Sequence, residues 1–418
     1  MKKVVVAHPG KQHSYRLAEA LKREGMLLAY ITTVYNHRGS WTHILGQLLR
    51  GDNKKRFLTR QNDFFDDEVV QYCELRGLLY LLLLRLIPKS RITRFLEKNI
   101  HTNVYNRAIR LALKQKADAI VVYGGLRKEH FALRDKLCPA LKIIVDVPIV
   151  TNPYVAETLE KDIIITGDNY VRHEQASIWD SAGWHNIKCW CRNGDGFLAG
   201  SSVVKQSLIF CGANTKKIQI VPYGVDTSRF YEKDYTLNHT CIRFIFVGQV
   251  NRRKGIQHLL PAFKRLNSTD AQLTLVGKYD VNDPLVKEFS QYNNICFKGF
   301  VTQDTVAHLY RENDVFVLPS LGEGLAQVGI EAMSCGLPII CSDNSGVNDL
   351  ITDGKEGFVI PTSDENALYE KLEWFVEHRE MIHEMGKNAH ITANRNSWEY
   401  YSQNVVKAIQ SILGDMSE

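Results

Sequence analysis

Short runs of β-branched and aliphatic residues recur along this chain, each followed by a longer amphipathic stretch, and the pattern starts afresh near residue 240. Such an order points to parallel sheets layered with helices, because two parallel strands must be joined by a crossover that a helix fills. In the first half, residues 4–7, 28–32, 119–123, 143–147 and 197–199 read as buried strands, with a helix over 14–24. In the second half the strands fall at 242–248, 273–277, 295–298, 315–319, 338–341 and 357–360. Residues 42–116, rich in Leu, Arg and Lys, depart from the alternation and read as a helical insertion. A chain of 418 residues exceeds what one core serves, so two domains of roughly 200 residues are expected. We divide it into 1–222, 223–390 and a closing segment 391–418. The joint falls at the P-Y-G-V-D turn, ahead of a polar stretch over 232–239.

Composition narrows the class. Hydrophobic residues make up 44% and charged residues 23%, as in ordinary globular proteins. The net charge of +6 is too small to signal nucleic acid and suits an anionic substrate or an acidic membrane surface equally. Nine cysteines without framework spacing, among them Cys296, Cys335 and Cys341 in apolar segments, read as buried, reduced thiols of a cytoplasmic protein. The opening K-K-V-V-V-A reads as a first strand rather than a signal peptide. The most apolar run, 77–87, is too short to span a bilayer. Residues 75–94 mix Leu with Arg and Lys, and suit either an interfacial helix on an anionic membrane or a core helix.

The segment 320–336, S-L-G-E-G-L-A-Q-V-G-I-E-A-M-S-C-G, follows the strand V-F-V-L-P and opens a helix. Open α/β sheets bind ligands at the carboxyl ends of their strands. Gly324 permits close backbone approach there, and the helix start at Ala326, Gln327 and Val328 offers amide hydrogens and a positive dipole to a diphosphate. Glu323 in the loop and Glu331 in the helix are acceptors suited to sugar hydroxyls. The first loop, H-P-G-K-Q-H-S, places Gly10, Lys11 and His13 at the end of the first strand, where they reach a phosphate or an acceptor hydroxyl; alternatively His13 or Ser14 caps the helix. Gly277, and Phe300 with Val301, end successive strands of the second half, where backbone groups read a base edge.

The spacing of Glu323 and Glu331 resembles the E-x7-E signature of the family-4 retaining glycosyltransferases. Further stretches carry the same likeness: F-V-G-Q-V-N-R-R-K-G-I over 246–256, I-V-P-Y-G-V-D-T-S-R-F over 220–230, and the strand and serine-led helix over 197–207. The resemblance implies the GT-B fold, an α/β arrangement of two Rossmann-like domains facing each other across a cleft, with residues 398–412 crossing back to the first domain. It implies that Glu323 contacts the transferred sugar, that Glu331 holds the ribose, and that Lys254 serves the donor phosphates. Where the family carries an arginine this chain has Gln249, so Arg253 or Arg252 is expected to supply the charge. Where the family carries a first-domain histidine this chain has Asp146, which either orients the sugar or caps a turn.

The function so implied is transfer of a sugar, with retention, from a nucleotide-diphosphate sugar (UDP- or GDP-sugar) to a glycan or polyprenyl-diphosphate-linked glycan in surface polysaccharide (O-antigen or capsule) assembly. The setting would be cytoplasmic, at the inner face of the membrane. The expected catalytic group is Glu323, Lys254, Asp146 and His13. No cofactor or metal is expected: Asp63 and Asp66-Asp67 lie in a polar linker, and no D-x-D motif stands in a binding context. A nucleotide-sugar epimerase of the same fold and a non-catalytic nucleotide-binding protein are the competing classes.

Overall fold

The computed structural model describes residues 2–11, 13–87, 90–233 and 241–414; most of the polar stretch 232–239 and the last four residues lie outside the described residues. Two parallel sheets form. The first has strands β1 (Val4–Ala7), β2 (Leu27–Thr32), β3 (Val69–Gln71), β4 (Ala119–Val122), β5 (Lys142–Val147), β6 (Gly196–Ala199) and β7 (Ile218–Ile220), in the order β3-β2-β1-β4-β5-β6-β7. The second has β8 (Ile242–Val247), β9 (Ala271–Val276), β10 (Ile295–Gly299), β11 (Val315–Leu318), β12 (Ile339–Ser342) and β13 (Gly357–Ile360), in the order β10-β9-β8-β11-β12-β13. Their central strands are apolar on both faces because helices cover both: β1, β4 and β11 are buried throughout.

In each sheet the strand order reverses beside the first strand, between β1 and β4 and between β8 and β11. The loops after those strands border the crevice that such a reversal opens. The sequence reading missed two short strands. Val69–Gln71 lies inside the stretch read as all-helical and pairs with β2 at the sheet edge, Tyr30 opposite Val69. Ile218–Ile220 closes the other edge against β6. Both are three residues long, too short for alternation to show. From sequence the stretch R-K-E-H-F over 127–131 reads as a helix surface, yet His130 is buried, and its Nδ1 accepts the Arg127 amide hydrogen at 2.9 Å at the start of its helix. Cys296, read as buried, is exposed.

The two sheets face each other. The chain passes between them twice at one place: Val225 pairs with Ser397, and the Val225 amide donates to Asn396 O at 3.0 Å. A Cβ on Gly224 would stand 2.3 Å from the Trp398 nitrogen, so only glycine lets the crossings touch. The helix Trp398–Ile412, capped by Ser397, then packs on the helix Ser14–Arg23 of the first half. Away from this crossing, polar contacts hold the halves together. Arg252, 2% exposed, lies 2.9 Å from Asp168, 3.2 Å from Glu174 and against Asp283, with its guanidinium 4.4 Å from the centre of the Tyr170 ring. His258 and Gln257 both meet the buried Asp162, at 2.6 and 2.8 Å.

Removing one member of a buried ion group leaves the others uncompensated. Arg252→Met is therefore expected to destabilise the protein by about 3–5 kcal/mol. Calorimetric unfolding at neutral pH checks this; an unchanged transition would mean that Asp168, Glu174 and Asp283 do not depend on Arg252.

Candidate active site

Two loops of the second half build one side of the site. After β8 the chain runs through Gly248 into a 3-10 turn, Arg252–Lys254, whose Lys254 amide donates to the Asn251 side chain. After β11 it runs through Ser320–Ala326 into the helix Gln327–Ser334. The Leu321 amide donates to Arg253 O at 2.9 Å, which ties the loops together. Arg253 Nη1 then reaches Glu323 at 2.5 Å and Gly322 O at 2.8 Å, and Lys254 Nζ reaches Glu323 at 2.9 Å. Burial pushes the Glu323 carboxyl up, but Lys254 and Arg253 outweigh it and hold it below the usual range. One carboxylate and two cations leave this buried corner with a surplus positive charge, beside the positive end of a helix.

The first half supplies the facing wall. The loop after β1 turns His13 toward the end of β5, where its Nε2 lies 2.9 Å from Asp146 Oδ2. The other Asp146 oxygen accepts from Tyr223 OH at 3.2 Å. His13 also packs on Tyr223, with ring centres 4.2 Å apart. Neither His13 nor Ser14 caps the helix through its side chain, since Ser14 Oγ pairs with Tyr30 OH at 2.8 Å. The walls meet at Gly324: a Cβ there would fall 2.0 Å from Pro148 O, and its own carbonyl accepts from Ser201 Oγ. Beside this contact opens a cavity of about 740 Å3, lined from both halves by Lys11, His13, Pro148, Tyr223, Arg229, Gln327, Glu331 and neighbours.

Residues 228–392 match the family profile described as "Glycosyl transferases group 1". Over these residues the chain is similar to the glycosyl transferases group 1 family. Among similar proteins are an uncharacterized glycosyltransferase of Methanocaldococcus jannaschii, 28% identical over 55% of this chain and 63% of that protein, and a putative colanic acid biosynthesis glycosyltransferase of Salmonella typhimurium, 26% identical over 44% and 48%. The matched stretch thus spans less than two thirds of either relative. Over 98% of this chain and 100% of the other, the fold is that of HepE from Anabaena, solved in complex with UDP, at a TM-score of 0.63 and 13% identity. The arrangement is the GT-B fold.

On this GT-B scaffold the proposed site residues fall into three places. Glu323, Arg253 and Lys254 converge as described, with Gly324, Ala326, Gln327 and Val328 at the start of the neighbouring helix. Of these, the Ala326 amide is already bonded to Ser345 O at 3.3 Å. Glu331, Lys11 and His13 line the cavity, and Gly10 stands two residues behind His8, whose Nδ1 accepts its amide hydrogen. Gln249, Gly277, Phe300 and Val301 lie outside that lining. Gln249 is exposed and touches Asn251, the Gly277 Cα packs on Gly248 O, and Phe300 projects outward near Lys278. Strand order explains the separation: β9 and β10 run on the side of β8 away from β11. Of the two arginines offered in place of the residue at Gln249, Arg252 is committed to three carboxylates, whereas Arg253 points into the site. Sequence reasoning missed Tyr223 and Arg229, which sit in the P-Y-G-V-D-T-S-R-F motif, their only signal.

Burial raises the Glu331 carboxyl to about 7; Arg229 offsets this in part and Asp226 adds to it. The folded protein therefore keeps a proton that the unfolded chain, with a carboxyl near 4.5, has lost. Stability from this group falls as pH rises from about 4.5 to about 7. Glu331→Gln should remove that slope, so the melting temperature of the variant should climb relative to the parent across the window. Parallel melting curves over this pH range would expose a wrong sign.

Proposed function

We propose that this chain is a retaining glycosyltransferase that moves a sugar from a nucleoside diphosphate sugar to a glycan carried on a lipid diphosphate, during assembly of a bacterial surface polysaccharide, without a divalent cation. The observation that carries the reading is the convergence of Arg253 and Lys254 on Glu323 beside a helix N-terminus, next in the chain to the Gly324 contact with Pro148, while His13 and Glu331 line the cavity that opens beside that contact. Arg253 and Lys254 have donors beyond those spent on Glu323, so they serve a departing diphosphate while Glu323 keeps an oxygen for the sugar. Glu331, which lines the cavity, accepts from ribose hydroxyls in this reading. Names of relatives in colanic acid and capsular polysaccharide biosynthesis support the acceptor class, and the bound UDP of HepE supports the donor class.

In the proposed reaction the bond from the anomeric carbon to the diphosphate oxygen breaks. The acceptor oxygen bonds to the same face of that carbon, and its proton passes to the leaving diphosphate. Arg253 and Lys254 stabilise the charge developing on the diphosphate, and positioning does the rest. Asp146 fixes the orientation of the His13 ring, which then holds a sugar or acceptor hydroxyl through its other nitrogen.

Thermal-shift titrations with UDP, GDP and their sugars, with and without magnesium, test the reading. One base should raise the melting temperature without metal, by the equivalent of about 2.7 kcal/mol at a ligand concentration one hundred times Kd. Lys254→Ala should lower kcat by about 100-fold or more while the fold survives. No shift with any nucleotide, or parental turnover in Lys254→Ala, would defeat the proposal.

A further inference from the structure

The helical insertion carries a second cavity, of about 640 Å3, between the helices Trp41–Leu48, Gly51–Leu58 and Glu74–Leu86. Most of its wall is apolar, from Leu45, Leu49, Phe57, Leu78 and Leu82 among others. Around it the same helices expose large apolar side chains: Leu48 is 75% exposed, Leu82 53% and Leu86 68%. A helix that leaves leucine on its outer face, as Glu74–Leu86 does, is not the core helix that one reading of 75–94 expected.

Three cations line the same cavity: Lys11, Arg60 and Arg85. Among the described residues none meets a carboxylate within ion-pair distance. Lys11 donates to Thr59 O, a neutral group, and leans over the Tyr15 ring at 5.3 Å. Burial lowers Lys11, and the charge of Arg60 lowers it further; burial likewise lowers Arg60, with Arg85 adding to it. Charges that press on one another beside an apolar hollow lack an anion with a hydrocarbon body. Lys11 also lines the 740 Å3 cavity of the candidate active site, so the two spaces adjoin there.

We propose that this cavity holds the first part of the hydrocarbon chain of a single lipid phosphate or diphosphate, with Lys11, Arg60 and Arg85 on its phosphate and its sugar end directed into the active-site cavity. The proposal rests on the transferase reading above and specifies where its lipid-linked acceptor sits. The volume falls within the roughly 300–1,000 Å3 of ordinary ligand sites. The exposed leucines extend the apolar surface outward, so the rest of a long chain passes into a bilayer without crossing water. No helix among the described residues is long and apolar enough to cross a membrane itself.

Calorimetric titration of the full chain with farnesyl diphosphate, farnesol and inorganic diphosphate tests this, with the nucleotide site first filled by whichever of UDP or GDP raises the melting temperature. Farnesyl diphosphate should bind at least about tenfold more tightly than either half-molecule. The double variant Arg60→Gln/Arg85→Gln, and separately Leu82→Glu at the half-exposed rim, should each lose about tenfold of that affinity while the nucleotide shift is kept. Equal affinity for inorganic and farnesyl diphosphate, or unaltered binding in both variants, would overturn the assignment. So would phosphatidylglycerol vesicles that compete as well as farnesyl diphosphate, which would make the face a bulk membrane contact, or a concentration-dependent dimer abolished by Leu82→Glu, which would make it an interface between copies. A retained nucleotide shift alongside any of these results would confine the failure to the lipid site; its absence would point to failure of the transferase reading.

Discussion

Everything at the candidate site depends on two backbones being allowed to touch. Gly324, in the loop after β11, lies so close to Pro148 O that any side chain would have to occupy the carbonyl's space. The contact brings the Glu323 loop within reach of the β5 end, where Asp146 sits. With the halves farther apart, Arg253, Lys254 and Glu323 would face water, and the high dielectric would weaken their mutual attraction severalfold. Close packing thus sets the electrostatics as well as the shape.

The two acidic residues of the site illustrate the point from opposite sides. Glu323 is buried among cations and stays ionised; Glu331 is half-buried with weaker compensation and rises toward neutrality. Two carboxylates eight residues apart are thereby given different protonation behaviour by their neighbours alone. In the proposed reaction the first remains a fixed negative charge near developing positive charge on a sugar, and the second exchanges hydrogen bonds with neutral hydroxyls.

The sheets were legible because buried parallel strands are continuous apolar runs; 4–7 and 315–318 could hardly be anything else. The loop–helix segment 320–336 was legible because its residues lie close together in sequence. What could not be read is what folding brings together from afar. His13 and Asp146 are 133 residues apart, so the pairing of a histidine from another loop with that strand end could not be read from the strand's own sequence. Arg252 was offered as a second choice to Arg253 for the same charge, yet its carboxylates come from residues 168, 174 and 283, and no spacing rule connects them. His130 is polar and helical, so pattern put it outside; its ring is inside because it caps its own helix.

The paired crossing at Val225 and Ser397 has a mechanical consequence. One linker lets two bodies swivel in any direction; two strands bonded side by side act as a flexure, free to bend and stiff to twist or slide. Any separation of the halves must therefore swing about that seam, with the least travel beside it, and must break the polar contacts that Arg252 and His258 make to the first half. The glycine at 224, by letting the two strands meet, fixes the axis of that swing.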